Sequence, residues 1–295
     1  MQPGRRFGAC EPAQLPQGGK GVNGMGLGGG RDRFDRHVGQ YIEPMANALL
    51  AQSKPSLLER ALRYWPGQCV VCRSWTTQRI CTECLARFTH ASPRCWTCAA
   101  RLPVGMHEGP GARCAHCSVQ AVPLERTIAA QDYAFPWNRL LQGFKFNQRL
   151  ELKAVLLDQL DQALTQQQAE APDWLLPVPL STQRLQERGY NQSLELARGL
   201  AQRRGLRCDP AMLLRVRDGP HQAGAARKAR LSQVHGAFAV EPQKLRALRG
   251  AHVAVLDDVM TTGATLFEIA RSLRQAGAAR VQAWVLARTP AELDD

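Results

Sequence analysis

Residues 252–265, HVAVLDDVMTTGAT, constrain this chain more than any other stretch: an apolar run ends in two adjacent carboxylates, and a turn of small residues then opens a helical pattern. A strand buried on both faces, feeding a helix from its carboxyl end, is the building unit of an α/β sheet. From about residue 127 the chain repeats that alternation. Leu140, Leu141 and Phe144, and then residues 150–164 (LELKAVLLDQLDQAL), carry apolar side chains at helical spacing, so one or two helices are expected to lead into the domain. Residues 174–179 (WLLPVP) read as a buried strand and 193–205 (SLELARGLAQRRG) as a helix closed by Gly205. Further strands are expected at 212–217 (MLLRVR), 235–240 (HGAFAV), 252–257 and 280–287 (RVQAWVLA), with a helix from about Ala264 to Ala276. The expectation is a mainly parallel sheet flanked by helices.

The turn in the first stretch has a chemistry of its own. Thr261, Thr262 and Gly263 can point backbone N–H groups inward, because glycine permits the tight conformation and threonine adds hydroxyl donors. The helix opening near Ala264 adds its positive dipole end, which suits a phosphate monoester without any lysine. Asp257 and Asp258 would repel phosphate, yet they can accept hydrogen bonds from sugar hydroxyls or hold magnesium through water. Carboxylates beside an anion cradle point to a phosphorylated ribose. The run VLDDVMTTGAT resembles the 5-phosphoribosyl-1-pyrophosphate (PRPP) motif of type I phosphoribosyltransferases.

Ahead of that domain, eight of the ten cysteines fall within residues 69–117 as four C-x-x-C pairs: Cys69/Cys72, Cys81/Cys84, Cys95/Cys98 and Cys114/Cys117. Each pair lets two sulfurs converge on one ion. In sequence order they form C-x2-C-x8-C-x2-C and C-x2-C-x15-C-x2-C, a double zinc-ribbon-like module; joining Cys69/Cys72 to Cys95/Cys98 is the alternative that spacing leaves open. One or two zinc ions held entirely by thiolates have no open position for water, so they are expected to be structural. Residues 57–126 hold nine Arg and four Glu with Trp65, Trp75 and Trp96 among them. That composition fits either a surface that tracks phosphates and stacks bases or a small tryptophan core under solvated arginines.

Charge and termini bound the partners. With 38 Lys and Arg against 25 Asp and Glu the formal charge is +13, and two four-thiolate zinc sites would lower it only to about +9. A polyanionic partner is expected. Residues 1–44 are Gly-rich without hydrophobic periodicity and read as a disordered tail; Met45, which opens MANALLAQ, is an alternative start. Residues 45–68 then form a helical lead-in, 69–126 the cysteine module and 127–295 the main domain. No apolar run approaches the ~20 residues that span a bilayer, and Arg5 and Arg6 precede no apolar segment. A cytoplasmic protein with no membrane insertion and with reduced thiols is expected.

Taken together, the cysteine pairs, PVPLSTQRLQERGYNQS (177–193), HQAG (221–224), HGAF (235–238) and the PRPP motif resemble the ComF family, over roughly residues 57–290. The resemblance implies a zinc module joined to a type I phosphoribosyltransferase domain. It implies that Asp257 and Asp258 contact the ribose hydroxyls, that Val259 and Thr261, Thr262, Gly263, Ala264 and Thr265 surround the 5-phosphate, and that the turn at Ser181, Thr182 and Arg184 holds pyrophosphate. Arg184 and Arg188 would neutralise that leaving group together with Mg2+. Asn191 and Gln192 read either as positioning residues or as a helix cap. Where the family carries Arg-x-x-Asn, this chain has Arg230 followed by Gln233. Arg188, Arg227, Lys228 and Arg230 are the candidate nucleic-acid contacts, within a stretch (180–249) holding fourteen Lys and Arg against five Asp and Glu.

Three functions follow from the resemblance. The first is a PRPP-binding protein that handles single-stranded DNA during natural transformation, with a competence helicase and a recombination mediator as partners. The second is a phosphoribosyltransferase that displaces pyrophosphate with an unidentified base or amine. The third is a non-enzymatic PRPP sensor.

Overall fold

The computed structural model describes residues 67–89, 92–103, 105, 111–217 and 234–290. The Gly-rich tail, the lead-in to residue 66 with Trp65, the HQAG segment, and Arg227, Lys228, Arg230 and Gln233 lie outside the described residues.

Four parallel strands form the central sheet: β3 (Arg126–Asp132), β4 (Trp174–Pro177), β7 (His252–Met260) and β8 (Arg280–Arg288), in the order β3-β8-β7-β4. The expected strands at 174–179, 252–257 and 280–287 are all there. Two expectations are corrected. The domain begins with strand β3, ahead of the helices at 140–164. The segments 212–217 and 235–240 do not join the parallel sheet: β5 (Leu213–Arg215) and β6 (Phe238–Val240) pair antiparallel with each other as a separate ribbon.

Helices cover both faces of the sheet. On one side lie α3 (Trp137–Phe146), α4 (Lys153–Gln166) and α6 (Gln192–Arg204). Leu156, Leu160 and Leu164 recur at helical spacing and are fully buried, each side chain contributing about 1.5–3 kcal/mol. Gly199 of α6 lets that helix press on α4, because a Cβ there would lie 2.5 Å from Leu157 Cδ1. Gly205 ends α6 in the left-handed conformation, φ 66°, the closure expected from sequence. On the other side lie α8 (Ala264–Gln275), the β5–β6 ribbon and the four-residue α7 (Leu245–Leu248).

The cysteine segment is woven into this core. β1 (Gly67–Gln68) and β2 (Trp75–Thr76) pair across the first C-x-x-C turn, and α1 (Thr82–Phe88) and α2 (Ala115–Val119) each start directly after a cysteine. Cys69, Cys81 and Cys84 are buried with Trp137 and Phe144 on the α3 side of the sheet, where Trp137 Nε1 donates to Phe88 O at 2.8 Å. Cys95, Cys98 and Cys117 are buried with Leu266, Ile269 and Val285 on the α8 side. The described tryptophans of this segment, Trp75 and Trp96, do not form a small core. Trp75 is 74% exposed, and Trp96 lies under the Arg126 guanidinium, 3.9 Å from its ring centre.

Candidate functional site

At the carboxyl end of β7 the alternation of the strand sends Asp257 and Asp258 to different surroundings. Asp258, 7% exposed, ion-pairs with Lys145 of α3 at 2.9 Å. Asp257 Oδ1 accepts from Ser193 Oγ at 3.0 Å and from the Asp258 amide at 2.9 Å. Burial first, and then the neighbouring Asp258 charge, push the Asp257 carboxyl up to about 7, against the opposing pull of Lys145. Of the two adjacent acids, one is thus paired with a lysine and the other is pushed toward its protonated form.

The chain then turns sharply. Gly263 takes φ 85°, and a Cβ there would lie 2.6 Å from Met260 Cε and 2.7 Å from Phe267 Cζ, so the turn is built for glycine. Thr262 Oγ1 accepts the Ala264 amide at 3.4 Å and Gly263 O accepts the Phe267 amide at 2.9 Å, which launches α8. Among the described residues, the amides of Thr261, Thr262 and Gly263 have no acceptor. Thr261 is exposed, Thr262 and Thr265 half-buried, Ala264 buried, and Val259 packs toward the α3 side. Amides left without an acceptor on a turn at a helix start can hold an anion.

Facing this end of β7, strand β4 runs out into Ser181, the cap of α5 (Thr182–Arg188), whose Oγ accepts the Arg184 amide at 3.2 Å. Thr182 is exposed. The Arg184 guanidinium is weakened by burial first, then by the charges of Arg188 and Arg215, with Glu187 and Asp257 opposing. Arg188 donates to Gln192 Oε1 at 3.0 Å and lies 4.9 Å from the ring centre of Phe146. The structure therefore brings Arg184 within the field of Asp257 and gathers Arg184, Arg188 and Arg215. Asn191 is the cap of α6: its Oδ1 accepts the amides of Ser193 and Leu194, and its Nδ2 donates to Val178 O. Gln192 joins Arg188 to the Lys145 carbonyl, so the two residues divide the alternatives between them.

The eight cysteines form two clusters, Cys69/Cys72/Cys81/Cys84 and Cys95/Cys98/Cys114/Cys117, with the ligand atoms of each within 4.8 Å of one another. This is the sequential grouping and excludes the interleaved one. Sulfurs on a tetrahedral zinc at 2.3 Å stand about 3.8 Å apart; Cys72 and Cys81 are at 3.6 Å and Cys98 and Cys114 at 3.7 Å. The Cys81 amide donates to Cys69 Sγ at 3.3 Å, and Ser74 draws the Cys72 thiol down to about 6, both favouring thiolate. The donor sets fit zinc, and each cluster could bind one ion.

Sequence reasoning missed three residues. Lys145 and Ser193, from helices far away in the chain, hold the two acids, and Arg288 at the end of β8 supports the turn from behind. Only Ser193, inside the RGYNQS run, lay within a stretch already singled out.

A parallel sheet that presents paired acids, a glycine turn and a helix start at its carboxyl edge is that of the type I phosphoribosyltransferase fold, and residues 191–295 match the phosphoribosyl transferase domain family. The chain is 32% identical to DNA utilization protein YhgH of Salmonella typhimurium over 234 residues, 76% of this chain and 98% of the relative. It is 28% identical to Competence protein F of Haemophilus influenzae, covering 77% and 99%, and 24% identical to Competence protein ComFC of Bacillus subtilis, covering 75% and 95%. The chain belongs to the ComF family. No helix among the described residues is long and apolar enough to cross a membrane.

Proposed function

We propose that the site at the carboxyl ends of β4 and β7 binds PRPP with Mg2+, and that the protein works in the cytoplasm on single-stranded DNA during its uptake or use. The observation that carries the first half is the juxtaposition of turn amides at 261–263, without an acceptor among the described residues, with two carboxylates two strand residues away. The amides and the α8 dipole would take the 5-phosphate, and Asp257 and Asp258 would accept the ribose hydroxyls. Magnesium, held through water by the same acids, would supply charge to offset the pyrophosphate. Arg184 and Arg188, crowded by like charge, would be relieved by that anion. Residues 181–184 supply the rest of its cradle.

Support for the second half is the names of the relatives, DNA utilization and competence proteins, together with the net charge. A helicase and a recombination mediator are the partners this role calls for. Phosphoribosyl transfer is the second reading, favoured by the crowded arginine pair, which is suited to a departing pyrophosphate. In it an acceptor base or amine displaces pyrophosphate at the anomeric carbon, with positioning and charge doing the work.

Calorimetric titration of PRPP with Mg2+, with and without an oligodeoxythymidine, tests the site. Saturable binding of PRPP, absent from the Asp257→Asn/Asp258→Asn protein, is expected, and competition by the oligonucleotide would mean a shared site. No heat at millimolar PRPP removes the proposal. Pyrophosphate release with a panel of bases and amines decides between binding and turnover.

A further inference from the structure

Arg288 ends β8 in a buried position, 6% exposed, and among the described residues no carboxylate pairs with it. Even Asp132, its partner in the β3–β8 register, is engaged by Arg94 and Arg101 instead. Five oxygens surround the guanidinium. Nε donates to Cys98 O at 2.9 Å; Nη1 faces Met260 O at 3.3 Å, Thr261 O, and the carbonyl and hydroxyl oxygens of Thr289 at 2.8 and 3.2 Å. Burying a cation against neutral oxygens is expensive, which directs attention to what this one holds in place.

What it holds is the orientation of two peptide groups. A trans peptide points its N–H opposite to its C=O. Arg288 draws back the Thr261 carbonyl and shares the Met260 carbonyl with the Thr289 amide, which donates to it at 3.1 Å, so the Thr262 amide and, jointly with Thr289, the Thr261 amide are turned the other way. The other anchor of the guanidinium is the carbonyl of a cysteine. Cys98 belongs to the second cluster, which is docked on β3 through Thr127, whose amide donates to Trp96 O at 2.9 Å and whose Oγ1 donates to Thr97 O at 2.6 Å. Arg94 ties the knuckle to the same strand through Asp132 at 2.8 Å and braces it internally by a bond to Ala99 O at 3.2 Å.

We propose that Arg288 is the positioning residue of the anion turn and that the second cysteine cluster, once it holds its metal, fixes Arg288 through the Cys98 carbonyl. Affinity for a sugar phosphate then depends on an ion that never touches it. The orientation of the turn stands on geometry alone, while its ligand rests on the PRPP reading given above.

Hydrogen–deuterium exchange over residues 257–267 of the full, zinc-loaded chain reads the turn with no ligand present. Arg288→Met keeps the apolar stem and removes every donor; it is expected to speed exchange there at least about tenfold, the loss of one charged hydrogen bond, with α4 and α6 unchanged. Arg288→Lys, which keeps the charge, should fall between, and it decides alone if the methionine variant does not fold. Removing zinc from the wild type should speed the same segment, with no further gain in Arg288→Met. In calorimetry Arg288→Met should weaken ribose 5-phosphate at least about tenfold while inorganic pyrophosphate, held by residues 181–184, is unaffected. Wild-type exchange in the variants overturns the brace, and an unmoved turn in zinc-free protein overturns its link to the cluster. Faster exchange in the variants with no PRPP binding by the wild type leaves the brace standing and removes only the ligand reading.

Discussion

Asp257 illustrates how an acid at the proposed ligand site opposes the stability of its own fold. Its carboxyl titrates near 7 in the folded chain because burial and Asp258 disfavour the anion, against an ordinary value of 3.8. Between those two values the unfolded chain has released a proton that the native one still holds, so stability falls as pH rises from about 4 to about 7 and is level above. Asp257→Asn removes this term. At pH 7.5 it should raise the melting temperature by roughly 2–4 °C, about 1 kcal/mol for a domain of this size after allowing for solvent screening; near pH 3.5 the gain should vanish. The same substitution should abolish the rise in PRPP affinity expected as pH passes through 7. Thermal scans and titrations at paired pH values check both statements. The two acids were legible in the sequence because they stand in one short run. Lys145 was not, since it lies on an amphipathic helix where any lysine looks solvated, and only the packing of α3 against the end of β7 turns it inward.

The turn between β7 and α8 works only as a left-handed glycine. Gly263→Ala adds a methyl that meets Met260 and Phe267 side chains and forces φ 85° on a residue that resists it, a cost of about 1–3 kcal/mol. Denaturant titration should show that loss, and PRPP binding should weaken with it, since the clash shifts the amides on either side. This element was readable because strand, turn and helix are consecutive. Strand β3 was not, for the opposite reason. Its sequence, RTIAAQD, alternates poorly and carries polar residues that are buried all the same. Each is satisfied by a remote partner: Arg126 by Gln167 O at 2.7 Å, Thr127 by Thr97 O, Gln131 by Gln159 Oε1 at 2.9 Å. Hydrophobic pattern cannot reveal a strand whose polar atoms are answered from elsewhere in the fold. The β5–β6 ribbon was misassigned to the parallel sheet because apolar runs identify strands without saying which neighbour they take.

At the scale of the whole molecule, six of the eight clustered cysteines are interior structure. Cys69, Cys81 and Cys84 share one face of the sheet with α3, and Cys95, Cys98 and Cys117 the other with α8. Chelation of zinc should therefore melt the entire protein, lowering its midpoint by more than about 10 °C, where an appended module would unfold separately and leave a second transition unmoved. Calorimetry distinguishes one peak from two. If the basic surface grips DNA, the logarithm of its binding constant should fall with that of salt at a slope of several units, about −0.7 per phosphate neutralised on a single strand. Docking of the knuckle on β3 carries one more consequence. The Trp96 carbonyl occupies the Thr127 amide, a main-chain group that an outermost strand would otherwise offer to any passing chain. A protein starved of zinc in the cell would uncover that margin and invite self-association, so metal scarcity would show first as insoluble protein.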